Sequence, residues 1–251
     1  MRQDDASAHI DATQAAAADS GVKAMVPVGR PFLDYILSAL ADAGFMDACL
    51  IIGPEHHAIR DYYSRTQRPR RIQVSFAIQP EPKGTANAVL AAEDFAGANQ
   101  FLVINSDNYY PVDVLQSVQR LGQPGTILFE AGTLVQHSNI PEDRIRAFAS
   151  CAVNSEGLLT DIVEKPPINQ FYASKLVSMN CWRFSRDIFS ACRDVSLSQR
   201  DEYELPLAVK LAIRRGMKLK AATSQSSVLD LSRRTDIASV AERLKNVQVE
   251  L

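Results

Sequence analysis

Two aspartates stand where predicted strands meet polar residues, and both could hold a metal ion together with phosphate. Asp107 follows the apolar run FLVIN, and Asp230 lies between two leucines in VLDLS. A carboxylate in an apolar strand is costly unless it is paired or binds a cation. Mg²⁺ typically takes one or two carboxylates together with phosphate oxygens and water. The two aspartates therefore suggest a phosphate-bound Mg²⁺, although Asn-Ser-Asp-Asn around Asp107 is also ordinary turn sequence.

Two lysines extend this set of candidate residues. Lys165 ends a predicted strand in DIVEKPP, where the following prolines stiffen the chain, and Lys23 lies in GVKAMV. Each lysine taken alone is better explained as a surface residue. Together with the aspartates they predict phosphoryl or nucleotidyl transfer, because that chemistry depends on positioning and charge neutralisation more than on covalent catalysis.

The stretch QPEPKGTANAVLAA, from Gln79 to Ala92, is a third candidate site. Gly84 stands just before a predicted helix, and a helix N-terminus with free N–H groups suits an anion or the edge of a nucleobase. The alternative interpretation is a Pro-Gly turn into a helix that has Thr85 as its N-cap.

The elements around these residues predict an α/β fold. PFLDYILSALADAG has the apolar spacing of a helix, and ACLIIG (48–53) is typical of a strand buried on both faces. Further along, FLVINSDN and TILFEAGTLV are predicted strands, and amphipathic helices separate such runs. This alternation favours a mixed, mostly parallel sheet with helices on both faces, in which ligands bind beyond the carboxyl ends of the strands.

Composition narrows the class of protein. The 251 residues are 46% hydrophobic and carry a formal net charge of −2, which gives no electrostatic case for binding nucleic acid or an anionic membrane. Four cysteines without a C-x-x-C pair fit reduced thiols in a cytoplasm. We expect one domain over residues 1–251, with a polar, Ala-rich segment at 1–22. The sequence patterns do not indicate the oligomeric state, so a homo-oligomer stays possible.

The order of the motifs resembles the sugar-1-phosphate nucleotidyltransferases, the enzymes that make nucleoside-diphosphate sugars. The resemblance covers roughly residues 22–245 and rests on the following segments: KAMVPVGRPFLDYIL, QPEPKGTANAVLAA, FLVINSDN, IVEKP, EYELPLAV and VLDLSRRTDI. It implies a Rossmann-like, three-layer α/β/α sandwich. It also implies that Mg²⁺ assists transfer of a nucleotidyl group from an NTP to a sugar 1-phosphate, with release of pyrophosphate.

The resemblance also assigns roles to single positions. Lys23 matches the lysine that contacts phosphates, and Asp107 and Asp230 match the two metal-binding aspartates. The remaining matches concern the base and the sugar: Gln79, Gly84 and Thr85 on the nucleotide side, and Asn108, Glu164, Lys165 and Asn180 on the sugar side. Catalysis is thereby expected from Lys23, Asp107 and Lys165.

One departure from the family pattern is large. Members begin with an apolar strand and a G-x-G-T-R loop that binds the triphosphate, whereas this sequence begins MRQDD. We therefore expect a missing first strand, an open groove between unpaired neighbouring strands, and weak catalysis that the added strand and loop would restore. The alternative is a catalytically weak or inactive homologue that binds sugar nucleotides and regulates. Two further departures are smaller. About twenty Ala-rich residues precede Lys23, where a shorter loop is usual. The segment VSMNCWRF replaces the family's N-T-G-x-Y, and its Trp182 could alter sugar choice or simply belong to the core.

Overall fold

A computed structural model describes residues 8, 10–19, 22–166 and 175–251. Its strands are β1 (Asp47–Ile52), β2 (Gln73–Ile78), β3 (Phe101–Val103), β4 (Asn108–Tyr109), β5 (Gly125–Glu130), β6 (Ala149–Val153), β7 (Leu159–Val163), β8 (Leu176–Phe184), β9 (Lys220–Ser224) and β10 (Leu229–Asp230).

The helices lie between these strands. They are α1 (Ala12–Asp19), α2 (Phe32–Asp42), α3 (His57–Asp61), α4 (Thr85–Ala91), α5 (Glu93–Ala96), α6 (Val112–Arg120), α7 (Ala131–His137), α8 (Glu142–Ile145), α9 (Ile188–Asp194), α10 (Leu205–Arg214) and α11 (Asp236–Leu244). A 3₁₀ turn covers Lys23–Met25, and a π-helical turn covers Tyr62–Thr66. None of the described helices is long and apolar enough to cross a membrane.

The strands form a mixed sheet, which confirms the predicted α/β class. The largest group has the order β7-β6-β8-β5-β9, and β3 also pairs with β8. Among the described strands, β1 with β2 and β5 with β9 pair in parallel, and the other pairs are antiparallel. The sheet is thus more antiparallel than predicted, because the long strand β8 runs against each of its three neighbours.

Two hydrophobic cores cover the two faces of this sheet. Ile127 and Phe129 belong to one cluster and Leu128 to the other. Since successive residues of a strand point to opposite faces, the clusters lie on opposite sides of β5. Helix α2 packs in the first cluster and α4 in the second, which gives the three layers that the resemblance implies.

Two predicted strands differ in the structure. TILFEAGTLV is a strand only as far as Glu130, and helix α7 begins at Ala131. The strand predicted in ACLIIG is present as β1, but Leu50 and its neighbours are half-buried rather than buried. Strand β1 pairs with β2, and no second partner for β1 exists among the described strands. The predicted single-domain organisation stays a prediction.

The sheet is interrupted between β1 and β3. Strands β1 and β2 form a ribbon of their own, and β3 reaches the rest of the sheet only through β8. A cavity is lined by all of β1 and all of β3. The open groove expected from the sequence is therefore observed.

Candidate active site

Lys23 and Asp107 meet at the carboxyl end of β3. The Lys23 ammonium donates to Asp107 Oδ2 at 2.9 Å, and both side chains keep partial contact with solvent. Lys23 opens the 3₁₀ turn, and Asp107 lies in the turn between β3 and β4. Two residues separated by 84 positions in the chain are thus joined by one ion pair.

Asp230 lies beside Asp107 because β4 and β10 pair. The register sets Asp230 opposite Asn108, and the backbone N–H of Leu231 donates to the Asp107 carbonyl at 2.8 Å. The Asn108 amide also donates to Asp230 Oδ1 at 3.0 Å. Of the two aspartates predicted as a metal pair, Asp230 is therefore on β10 and Asp107 is in the turn that leads into its partner strand β4.

Asp230 is nevertheless engaged on both carboxylate oxygens. Its Oδ1 accepts from Asn108 and, at 2.9 Å, from the Ser232 hydroxyl, and its Oδ2 accepts from the Arg144 guanidinium. The residue as a whole is 2% exposed. Burial, and then the charge of Asp107, raises the pKa of this carboxyl, whereas Arg144 opposes the shift.

Arg144 belongs to this cluster, although the sequence did not indicate it. It is 5% exposed and donates a second hydrogen bond to Asp236 Oδ1 at 2.7 Å. Its Nε has no hydrogen-bond partner among the described residues. Asp236 accepts through its other oxygen from the backbone N–H of Arg233 at 2.7 Å, so Arg144 ties β10 to the start of α11. The only sequence signal that could have pointed to Arg144 was that a buried Asp230 needs a positively charged partner.

The stretch from Gln79 to Thr85 is held by its own hydrogen bonds. The Gln79 amide donates to the Gly84 carbonyl at 3.0 Å and to Asn87 Oδ1 at 2.9 Å. Gly84 has φ +104°, and a Cβ there would lie 2.6 Å from the Tyr203 carbonyl oxygen. The glycine thus permits close contact between this loop and the segment that opens α10.

Thr85 does not cap helix α4, so the alternative interpretation of this residue is wrong. Gly84 holds the N-cap position and Thr85 is the first helical residue. Its hydroxyl accepts a hydrogen bond from the backbone N–H of Leu205 at 2.8 Å. The same residue lines the cavity that Lys23 and Asp107 also line.

Glu164 and Lys165 follow β7 and belong to a second charged group. Lys165 is exposed with φ +43°, a left-handed conformation. Burial, and then the charge of Glu204, raises the pKa of Glu164, while Arg200 lowers it. Arg200 itself donates to Glu204 Oε1 at 2.6 Å and 2.8 Å.

Asn180 makes its side-chain hydrogen bond within its own strand. It sits in β8 with φ +60°, where the register with β5 shifts, and its Oδ1 accepts from the Trp182 indole at 3.1 Å. Trp182 is fully buried, which confirms the interpretation of this tryptophan as core. The structure thus joins Lys23, Asp107, Asn108 and Asp230 directly, and it brings Thr85 to the same cavity. It also places Glu164 and Lys165 near Glu204. Glu204 directly precedes Leu205, whose N–H bonds to Thr85.

A sequence model decides the family. The model described as Nucleotidyl transferase matches residues 18–243. The chain belongs to the nucleotidyl transferase family. The sequence-based recognition is confirmed.

Individual relatives of this nucleotidyl transferase agree with the family assignment. It is 29% identical over 224 residues to the UTP–glucose-1-phosphate uridylyltransferase AglF of Haloferax volcanii, covering 89% of this chain and 88% of the relative. It is 27% identical to a glucose-1-phosphate thymidylyltransferase of Streptomyces griseus, covering 88% of this chain but 59% of that relative. A UDP-glucose pyrophosphorylase complexed with UDP-glucose superposes with a TM-score of 0.73 at 18% identity, covering 90% of this chain and 91% of the other, which supports the same fold.

The contact between Gly84 and Tyr203 gives a first prediction for the nucleotidyl transferase. Gly84→Ala should lower the free energy of unfolding more than Gly44→Ala does, by at least about 1 kcal/mol. Both glycines have similar positive φ, but a Cβ at Gly44 meets nothing within 4 Å, so only Gly84→Ala adds a clash with backbone. Urea unfolding of the two variants measures the difference. Equal losses would contradict the packing role of Gly84.

The buried Arg144 gives a second prediction. Arg144→Met should cost roughly 3–5 kcal/mol, because it leaves Asp230 and Asp236 buried without their cation. Arg215→Met is the control, since Arg215 pairs with Asp194 at an exposed position and should cost less than about 1 kcal/mol. Adding Asp230→Asn to Arg144→Met should recover part of the loss. A double-mutant cycle in urea without such recovery would show that Arg144 does not act through Asp230.

Glu164 gives a third prediction, on pH. The pKa of Glu164 in the folded protein is raised above the ordinary 4.5. Ionisation of Glu164 therefore lowers the free energy of unfolding. This loss is absent below pH 4.5 and grows as the pH rises toward the folded pKa. Glu164→Gln should therefore raise Tm at pH 8 and have a smaller effect at pH 5. Glu156→Gln, at an exposed position, should show no such trend. A Glu164→Gln effect that is the same at both pH values would contradict the assignment.

Proposed function

We propose that the chain transfers a nucleoside monophosphate from an NTP to a sugar 1-phosphate and releases pyrophosphate. One observation carries the proposal. The Asp107 carboxylate, paired with the Lys23 ammonium at 2.9 Å, lies on the turn joined to Asp230 by the β4–β10 pairing. Two carboxylates, each paired with a cation, therefore lie beyond the carboxyl end of β3, the kind of position where α/β proteins bind phosphorylated ligands.

Asp107 and Asp230 are the residues that could hold Mg²⁺. One or two carboxylates are the donor set that Mg²⁺ takes alongside phosphate oxygens. Asp107 fits, because its Oδ1 accepts no hydrogen bond from the described residues and the side chain is partly exposed. Asp230 fits only if an oxygen now bound by Arg144 or Asn108 becomes available. Asp107 would therefore hold the ion, with Asp230 as the second candidate, and Mg²⁺ when bound would neutralise charge on the phosphates.

The protein groups then bind and orient the reactants. An oxygen of the sugar phosphate attacks the α-phosphorus, a new P–O bond forms, and the bond to the leaving pyrophosphate breaks. Lys23 is proposed to hold the leaving phosphates and Lys165 the attacking one, so that charge is neutralised where it develops. No covalent intermediate with the protein is needed.

Gln79 is proposed to meet the base. Its amide nitrogen already serves Gly84 and Asn87, while its Oε1 accepts no hydrogen bond from the described residues. A fixed acceptor of this kind suits a base edge that donates an N–H. Glu164 and Asn180 are the candidates for contacts with sugar hydroxyls.

The proposed location is the cytoplasm, because the four cysteines are free thiols.

A second candidate function is a sugar-nucleotide-binding regulator. One observation favours it: Asp230 is saturated by donors of its own chain, as a structural carboxylate would be. Pyrophosphate release by this chain, measured with several NTPs and sugar 1-phosphates in the presence of Mg²⁺, separates the two. Turnover with one NTP–sugar pair supports the enzyme. Binding of a sugar nucleotide without any turnover supports the regulator.

Asp107 gives the fourth prediction. Asp107→Asn should lower pyrophosphate release by about 10²–10³ and should also abolish the dependence of NTP binding on Mg²⁺, because one preorganised charge is lost. The melting temperature should stay within a few degrees of the parent protein. Asp187→Asn, at an exposed turn before α9, is the matched control. Near-normal turnover and Mg²⁺-dependent NTP binding by Asp107→Asn would remove Asp107 from the mechanism.

A further inference from the structure

A second cavity of this protein is lined by three arginines. Its volume is about 710 Å³, and its lining consists of residues 65–70, here called the arginine loop, together with Leu251. The loop contributes Arg65, Arg68 and Arg70. Cavities that bind small ligands have volumes of roughly 300–1,000 Å³. The cavity is therefore large enough for a small charged ligand.

The arginine loop and the candidate active site lie at opposite ends of β2. The loop ends at Arg70, shortly before the strand begins at Gln73. Gln79, which is proposed to meet the base, directly follows the last residue of the strand. A rise of about 3.3 Å per residue over the six residues of β2 separates the two places by about 20 Å. A ligand in the arginine loop would thus lie outside the proposed nucleotide and sugar sites.

Two of the three guanidiniums have no counter-charge. Arg65 Nη1 lies 3.4 Å from Asp61 Oδ1, and both side chains of this pair are exposed. The side chains of Arg68 and Arg70 form no ion pair or hydrogen bond with any residue that the structure describes. Positive charge gathered in this way raises the local concentration of anions. The loop presents it on a chain whose formal net charge is −2.

The arginine loop is fixed at both ends by contacts with helix α2. Before the loop, the buried Tyr63 donates from its hydroxyl to Asp34 Oδ1 at 2.8 Å. After the loop, Arg71 donates to Asp42 Oδ1 at 2.7 Å. Pro69 restricts the backbone within the loop, because its ring fixes φ. Side chains on a fixed backbone lose less entropy on binding than those on a mobile one.

We propose that the arginine loop binds a short chain of phosphates, two or three phosphoryl groups joined by bridging oxygens, either free or carried by a small molecule. A guanidinium can donate two parallel hydrogen bonds to phosphate oxygens. A phosphate chain brings several negative charges into the length of one cavity. The carboxylates on one face of an extended acidic peptide lie about 7 Å apart, so the same charge would need a longer surface.

Extended anionic partners fit this loop less well. Duplex nucleic acid and anionic membranes engage basic residues over a wide surface, whereas these arginines occupy one short loop. A membrane surface would also take up exposed apolar side chains. The large apolar side chains that are exposed in the described chain lie elsewhere: Met46, Ile78, Phe95 and Leu197. The structure thus favours a small ligand.

The test follows the reaction of single arginines with phenylglyoxal by mass spectrometry, on the full chain with and without tripolyphosphate. A bound phosphate covers the guanidinium. At a tripolyphosphate concentration of about ten times Kd, the modification of Arg68 and Arg70 should therefore slow roughly tenfold. Arg214, the exposed last residue of α10, is the internal control and should react at an unchanged rate, because its side chain has no partner among the described residues.

A parallel arm with a nucleoside triphosphate, without Mg²⁺, distinguishes the two sources of a phosphate chain. Protection equal to that by tripolyphosphate means that the phosphates alone are recognised. Stronger protection means that the attached nucleoside is bound as well.

Variants separate the arginine loop from the candidate active site. Lys23→Met removes the cation proposed to hold phosphates there and should leave the protection of Arg68 and Arg70 unchanged. In the Lys23→Met background, calorimetry should show tripolyphosphate binding that Arg68→Gln weakens roughly tenfold. Arg214→Gln is the matched control and should not alter the affinity.

Three results would overturn the proposal. Equal slowing of Arg214 would show charge screening only. Loss of protection in Lys23→Met would assign the anion to the candidate active site. Protection of Arg68 and Arg70 by polyglutamate but not by tripolyphosphate would identify an acidic polypeptide instead. None of these readouts depends on turnover, so this proposal and the proposed function can fail separately.

Discussion

A guanidinium enclosed between two carboxylates organises the candidate active site. Arg144 contacts Asp230 at the end of one short strand and Asp236 at the start of α11. Because all three side chains are almost fully buried, none can be removed without leaving a charge in a medium that solvates it poorly. The strand pair β4–β10 is only two residues long on each side, so this ion cluster, rather than backbone pairing alone, fixes where Asp230 lies relative to Asp107.

The nucleotide side depends on a different constraint, the approach of two backbones. The loop that ends at Gly84 and the segment that opens α10 exchange hydrogen bonds at 2.8 Å, from Ala86 to Tyr203 and from Tyr203 to Lys83. A glycine at the contact is what allows that spacing. The loop is therefore positioned by the same segment that carries Glu204, so the residues proposed to contact the base and the sugar share one support.

Much of this arrangement could be predicted from the sequence. Apolar periodicity located α2, β1 and most of the later elements, and the ordered motifs located Lys23, Asp107 and Asp230 at one site. Arg144 could not be found this way, because an arginine in EDRIR has the sequence context of a surface helix. The end of β5 was also missed, since EAGTLV continues an apolar run and nothing local marks the change to α7. The alternative interpretation of Thr85 as the N-cap was wrong, because its hydroxyl accepts a hydrogen bond from Leu205, a partner 120 residues away.

The long strand β8 pairs with β3, β5 and β6 at once. All three partners precede β8 in the chain. Strand β4 likewise cannot pair until β10 has been synthesised. During synthesis the β1–β2 ribbon and the β6–β7 hairpin can pair locally, while the apolar segments of β3 and β5 emerge some 75 and 50 residues before β8, the strand that pairs with them. At roughly 5–20 residues per second, synthesis therefore leaves these strand edges unpaired for several seconds, the interval in which exposed apolar edges can aggregate.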